Sequence, residues 1–323
     1  MLEDVTNSIT GNKQNLYWNN GAATNNPMPA TTGTLERQPK TDNVELTKRP
    51  MSKQKTLLIL GGIATTLLGT VLAVKGYRSH KITKDLEKIE QKFLKLQENM
   101  PEVQRTFKDV FLRDDITEKE ALEILNRYKE VEKVGITGTK EEYIRAAFNE
   151  AKRNFGFTDC KFKLKLISGQ VSKNGKTEGG AAQLCTRIEV DPNSKIEQIQ
   201  GIIHHEMRHM KQNYYAVNYD PQAYKYALRN DYEAKLSKEA LEEVLDDCLS
   251  DIQKMFNLKT FSRDNIPTEY MKYAEQCIEG CRTYIGGHSN FKAYYNNFKE
   301  VDARHAGGLI DKLFYGAVLG GNK

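Results

Sequence analysis

Cysteine is scarce in this chain of 323 residues: there are five, at Cys160, Cys185, Cys248, Cys277 and Cys281. An odd number at scattered positions excludes a disulfide framework. Cys277 and Cys281, four apart on an expected helix, read as small buried hydrophobes rather than a second metal site. Charge of one sign is also scarce. The formal net charge is only +5, acids and bases are interspersed, and no stripe of basic residues stands out, so no nucleic-acid partner is expected. Internal repeats are absent. Large aliphatic residues are sparse in residues 1–55, where Asn, Thr, Pro and Gly predominate. Such a segment cannot bury enough apolar surface to offset its ordering entropy, and it is expected to be a disordered tail.

One long hydrophobic run does occur. Thr56 to Val74 reads TLLILGGIATTLLGTVLAV without a charge, and at helical rise it spans about 28 Å, close to the hydrocarbon thickness of a bilayer. Lys53 and Lys55 flank one end, Lys75 and Arg78 the other, and Tyr77 suits the headgroup level. Some fifty polar residues precede the run, which argues against a signal peptide. Residues 56–75 are therefore expected to form a single transmembrane helix, making the chain a single-pass membrane protein. Six Lys or Arg lie within about twenty residues on each side, so loop charge sets no orientation. Nothing in the sequence sets the oligomeric state.

Beyond the run the pattern turns helical. Leu86, Ile89, Phe93, Leu96 and Met100 keep heptad spacing over two heptads, too few for a coiled coil. Residues 76–115 are expected to be a helical stalk that packs on the domain formed by residues 116–323. Three hydroxyl–Glu pairs, Thr117/Glu120, Thr139/Glu142 and Ser194/Glu197, have capping-box spacing and predict helix starts. Residues 160–166 alternate Cys160, Phe162, Leu164 and Leu166 with three lysines, and residues 182–190 alternate likewise. Each is expected to be a strand. The expected fold class is α+β, predominantly helical, with a small sheet next to the motif helix that follows.

That helix carries His205-Glu206-Met207-Arg208-His209. Histidines four apart project from one helix face a turn apart, as two nitrogen ligands of one tetrahedral Zn²⁺ require. Glu206, rotated off the metal, can reach an attacking water as general base and return the proton to a leaving amine. The pattern has a chance rate of about one per cent in a chain with this many histidines. Ile199, Ile203 and Met210 give the helix a core-facing side, and the segment TRIEV with an Asp-Pro-Asn turn precedes it. His204 points about 100° away from His205 and is a poor ligand candidate.

Residues 186–212 resemble the active-site strand and helix of the zincin metallopeptidases. The resemblance implies that the strand at 184–190 is an edge strand facing substrate, through Leu184, Thr186 and Ile188. A catalytic zinc needs a third protein ligand, and no His-x-x-Gly-x-x-His extension follows His209. Residues 294–307, YYNNFKEVDARHAG, resemble the second motif of gluzincin-type peptidases. That match implies Glu300 as the third ligand, with Asp302 as an outer partner of a ligand imidazole and as the fallback ligand. Gln212, a turn past His209, lies near the ligand face. Residues 213–290 read as a helical insertion walling the cleft, and among Tyr214, Tyr215, Tyr219, Tyr224 and Tyr226 one could stabilise an oxyanion.

The expected function is a membrane-anchored zinc metallopeptidase acting on a peptide or protein. Two alternatives stay open: a membrane-tethered interaction protein with a structural or inactive zinc site, and a zinc hydrolase of a non-peptide amide.

Overall fold

The computed structural model describes residues 79–167, 180–183 (backbone), 187–229, 237–284 and 290–314. The expected tail 1–55 and transmembrane segment 56–75 lie outside the described residues. Among the described residues no helix is long and apolar enough to cross a membrane.

Among the described residues, ten α-helices and three strands follow in order. Residues 79–98 form α1. Next come α2 (Met100–Phe111), α3 (Glu118–Thr137) and α4 (Lys140–Asn154). The strands β1 (Lys163–Leu166), β2 (Gly180–Gln183) and β3 (Arg187–Val190) precede α5 (Ile199–Tyr219). The chain continues through α6 (Pro221–Arg229), α7 (Lys238–Met255), α8 (Met271–Arg282), α9 (Phe291–Asn296) and α10 (Phe298–Phe314). The class is α+β with helices dominating.

Helix α5 is the centre of this arrangement. Fifteen of its 21 residues are buried, so it is a core helix rather than a surface one. It packs on α10, α8, α4 and α6. The approach to α10 is close because glycines meet there: a Cβ on Gly307 would stand 2.7 Å from the Gly201 carbonyl oxygen and 3.4 Å from the His205 Cβ. The N-terminal helices join the same core. Phe93 of α1 stacks on Phe314 of α10 at 5.9 Å between ring centroids, and Phe314 lies 4.7 Å from Tyr128 of α3. The described part of the segment expected as a stalk packs against these helices. Ile89 and Phe93 are buried, while Leu86 and Leu96 are half-buried.

Two of the three capping pairs cap α-helices. Thr139 and Glu142 form a complete box. Thr117 accepts from the Glu120 amide, but the Glu120 carboxylate turns to Arg113 instead, at 2.8 Å. Ser194 does not cap: a single 3₁₀ turn at Ile196–Gln198 intervenes before α5, and the Ser194 hydroxyl is buried without a hydrogen-bond partner.

The sheet departs from the sequence expectation. Residues 182–190 are not one strand; β2 ends at Gln183 and β3 begins at Arg187, and the two pair antiparallel. Residues 184–186 lie outside the described residues. β3 is also paired in parallel with β1, from Lys163↔Arg187 to Leu166↔Val190. The order β1-β3-β2 makes β3 the central strand, so it is not an edge. The merger arose because Ala, Gln and Thr give period-2 alternation no clear break. It is β2 that lies at the sheet's edge against α5.

Candidate metal centre

His205 and His209 rise from one face of α5 with ring centroids 4.7 Å apart and planes nearly perpendicular, at 87°. Glu300, in the first turn of α10, is buried. The helix crossing at Gly201 and Gly307 brings its carboxylate to the two rings. His209 Nε2 stands 3.1 Å from His205 Nε2 and 3.3 Å from Glu300 Oε1. His205 Nε2 stands 3.7 Å from Glu300 Oε2. Atoms held about 2.0–2.1 Å from a tetrahedral ion are about 3.3–3.4 Å from one another, and the separations here, taken to the nearer carboxylate oxygen for each ring, lie close to that spacing. Among the described residues this is the one group of three or more His, Cys, Asp or Glu side chains able to share a metal ion.

The protons around the triangle are assigned by its neighbours. His209 Nδ1 lies 2.8 Å from Gln212 Oε1. The Gln212 amide nitrogen is committed as a donor to the Lys299 carbonyl at 2.9 Å and to Asp302 Oδ2 at 2.7 Å. Its oxygen must therefore accept, which makes His209 Nδ1 the donor and leaves Nε2 a lone pair. The His205 ring donates to the Ala303 backbone; with Nε2 directed at the triangle, that donor is Nδ1. Tyr284 donates to Glu300 Oε1 at 3.0 Å, Tyr294 also hydrogen-bonds Glu300, and Glu300 Oε2 is buried without a hydrogen-bond partner. Two imidazole lone pairs and a carboxylate thus face one point. The donor set, its spacing and the orphaned oxygen fit a zinc ion.

Burial and mutual charge set the protonation of the three groups. Burial pulls the His205 imidazole down to about 3, helped by the charge of His209. Burial also works against the charged form of His209, but the Glu300 carboxylate beside it outweighs burial and raises it. Burial pushes Glu300 up, and the hydrogen bond and charge of His209 bring it instead to about 2.

Asp302 is placed differently from its expected role. It neither joins the triangle nor touches an imidazole. Arg208, the largest buried side chain of the motif, donates to both its oxygens at 2.7 Å. Tyr273 and Gln212 donate to Oδ2 as well, at 2.5 and 2.7 Å. These donors hold Asp302 below the usual carboxylate range against the upward push of burial. Its link to the site runs through Gln212, which carries the bond to His209 in its place.

Glu206 is buried, with Oε1 3.9 Å from His205 Nε2. His204 points away, as helical geometry requires: its Nε2 is 2.6 Å from the Tyr128 hydroxyl and its Nδ1 is 2.7 Å from the Gln200 carbonyl. Ile188 cannot face substrate, being fully buried in the central strand; Leu184 and Thr186 lie outside the described residues. Tyr214 and Tyr215 pack at the other end of α5, against Tyr270 and Tyr273. The tyrosines at the triangle are Tyr284 and Tyr294, whose rings meet edge to face at 6.0 Å. Part of the expected insertion lies at that same far end, while Tyr284, also within it, reaches the triangle. Lys161 donates to the Met255 carbonyl at 2.6 Å, and Phe256 packs on Phe157 and Tyr214.

Arg304 completes the surroundings, one turn after Glu300. Its Nη1 is 3.8 Å from Glu300 Oε2 and its guanidinium lies 3.8 Å from the Tyr295 ring centroid. Sequence reasoning gave neither Tyr284, Tyr294 nor Arg304 a role. Arg304 carries a readable signal, the i,i+4 spacing from Glu300. Tyr294 does not, because the chain breaks at Asn297 between α9 and α10.

No protein-family model matches the chain, and neither does any curated protein or solved structure.

Proposed function

We propose that this protein is a zinc-dependent hydrolase of the zincin type, a peptidase held to a membrane by residues 56–75. One observation carries the reading: the Nε2 atoms of His205 and His209, 3.1 Å apart, converge with the Glu300 carboxylate, whose Oε1 is 3.3 Å from His209 and whose Oε2 is 3.7 Å from His205. Those residues would hold the zinc. When bound, the ion supplies Lewis acidity and brings the pKa of a water toward about 7. Glu206 would take the proton of the attacking water and hand it to the leaving amine. Tyr284 and Tyr294 fix the Glu300 carboxylate, and Gln212 fixes the His209 tautomer.

Catalysis is favoured over a structural zinc by the number of ligands. Structural sites close with four protein ligands, whereas catalytic sites keep three and an open position. Here three converge, with a second carboxylate, Glu206, close by. The peptide substrate and the anchor rest on the zincin resemblance and the uncharged run Thr56 to Val74.

Metal analysis of the purified full chain tests the reading. Near-stoichiometric zinc is expected in the wild type and in Glu206→Gln, with hydrolysis of a peptide library abolished in the latter. Zinc is expected to disappear in Glu300→Ala. A wild-type chain without zinc would end the proposal, and full activity in Glu206→Gln would end the mechanism.

A further inference from the structure

Exposed apolar surface is unevenly spread over the molecule. Among the described residues, seven large hydrophobic or aromatic side chains are exposed. Three of them, Leu94, Leu122 and Tyr226, lie on three different helices, α1, α3 and α6. The other four, Tyr284, Phe291, Tyr295 and Val301, fall between positions 284 and 301, around α9 and the start of α10. Single exposed apolar residues are ordinary, whereas a contiguous cluster marks a contact surface.

The aromatic members form a ledge that begins at the metal triangle. Phe291 is 66% exposed, and its ring centroid lies 5.7 Å from that of Tyr295 and 6.3 Å from that of Tyr294. Tyr294 in turn meets Tyr284. The hydroxyls of Tyr284 and Tyr294 are both committed to Glu300, so their rings offer apolar faces and edges. At the other end the Arg304 guanidinium stacks on Tyr295 and donates to its carbonyl. Arg304 also borders the open side of the triangle. His205 is the most exposed of the three side chains there, at 21% against 12% for His209 and 2% for Glu300, and the Arg304 charge acts on it.

The ledge is therefore continuous with the reacting centre, and a chain bound with its carbonyl at the triangle crosses it. An extended peptide rises about 3.3 Å per residue, so two residues span one ring-to-ring step. An aromatic side chain on such a peptide gains both burial and offset or edge-to-face contacts with Phe291 and Tyr295. We propose that Phe291, Tyr294 and Tyr295 form the specificity surface of the hydrolase, selecting peptides with an aromatic residue within about three positions of the cleaved bond. The inference rests on the peptidase reading above.

Calorimetric titration of the zinc-loaded Glu206→Gln full chain, which binds without turnover, tests it with acetylated, amidated hexa-alanine and its single-Phe replacements. Phe at one or two neighbouring positions is expected to tighten binding at least about tenfold over hexa-alanine. Phe291→Ser and Tyr295→Ser, both at exposed positions, should each weaken the best peptide at least about threefold, with zinc content and hexa-alanine binding unchanged. Equal binding of all the peptides, or a Phe preference retained in both Ser variants, overturns the inference. So does a concentration-dependent dimer in sedimentation that Phe291→Ser abolishes, which assigns the ledge to a second copy of the chain. Wild-type hydrolysis of the same peptides separates the two readings. Cleavage without a Phe preference overturns the ledge alone, whereas a chain with no zinc and no cleavage of any peptide ends the proposed function and the ledge with it.

Discussion

Gln212 determines which nitrogen of His209 faces the triangle. Its amide has two acceptors for its nitrogen and one donor for its oxygen, so it cannot flip without losing both donor bonds. Gln212→Leu is expected to keep the helix by circular dichroism and weaken zinc binding 10–100-fold in a competition titration. His204, one residue from the first proposed ligand, has a different task. Burial holds its imidazole down to about 4, against 6.5 when unfolded. Its contribution to stability is full above pH 6.5 and is lost as pH falls toward 4, an amount of about 3 kcal/mol. Glu132 has the opposite sign. Burial pushes it up to about 7, despite hydrogen bonds from Tyr143 at 2.8 Å and Gln200 at 3.0 Å. Its contribution is full below pH 4.5 and is lost as pH rises through 7. Around pH 5–6.5 the two slopes offset each other. His204→Gln should therefore shift the slope of urea-unfolding free energy against pH downward relative to wild type in that window; parallel curves would refute the assignment.

Elements differ in how much of them can be read in advance. The helix starts at Thr117 and Thr139 are legible because a hydroxyl and a carboxylate three residues apart act locally. His205, Glu206 and His209 are legible for the same reason, since one helix fixes their mutual angles. Glu300 is 91 positions from His209, and only the likeness of its surroundings to a known second motif points to it. The β2–β3 break and the central place of β3 are tertiary facts without a turn signal. Ser194 had the right spacing, but the 3₁₀ turn that precedes α5 left its hydroxyl unused. The α5–α10 crossing is likewise silent in sequence, although two adjacent glycines in α10 mark it in hindsight. Gly307→Ala would force the helices apart beside His205, at a cost of about 1–3 kcal/mol, and should weaken zinc binding too. Gly308→Ala, with nothing within 4 Å of the added Cβ, should instead stabilise by about 1 kcal/mol from helix propensity. Thermal melts of the two variants should move in opposite directions.

Across the whole molecule, one guanidinium ties three regions of the chain together. Arg208 of α5 donates to Asp302 of α10 and, through Nη1, to the Asp109 and Val110 carbonyls at the end of α2, at 2.7 and 2.9 Å. Asp302→Asn would leave a buried charge without its counter-ion, so a loss of about 3–5 kcal/mol is expected in chemical denaturation. Zinc should still bind, which separates Asp302 from Glu300. The same tie sets an order of events during synthesis. Arg208 is 94 residues ahead of Asp302, an interval of about 5–20 s at ordinary translation rates. Through that interval the emerging helix carries a buried-type cation and a pair of imidazoles without their partners. A ribosome that stalls inside it leaves a nascent chain already bearing the His-Glu-x-x-His motif but unable to complete a metal centre, so on this reading hydrolytic activity stays withheld until α10 has emerged.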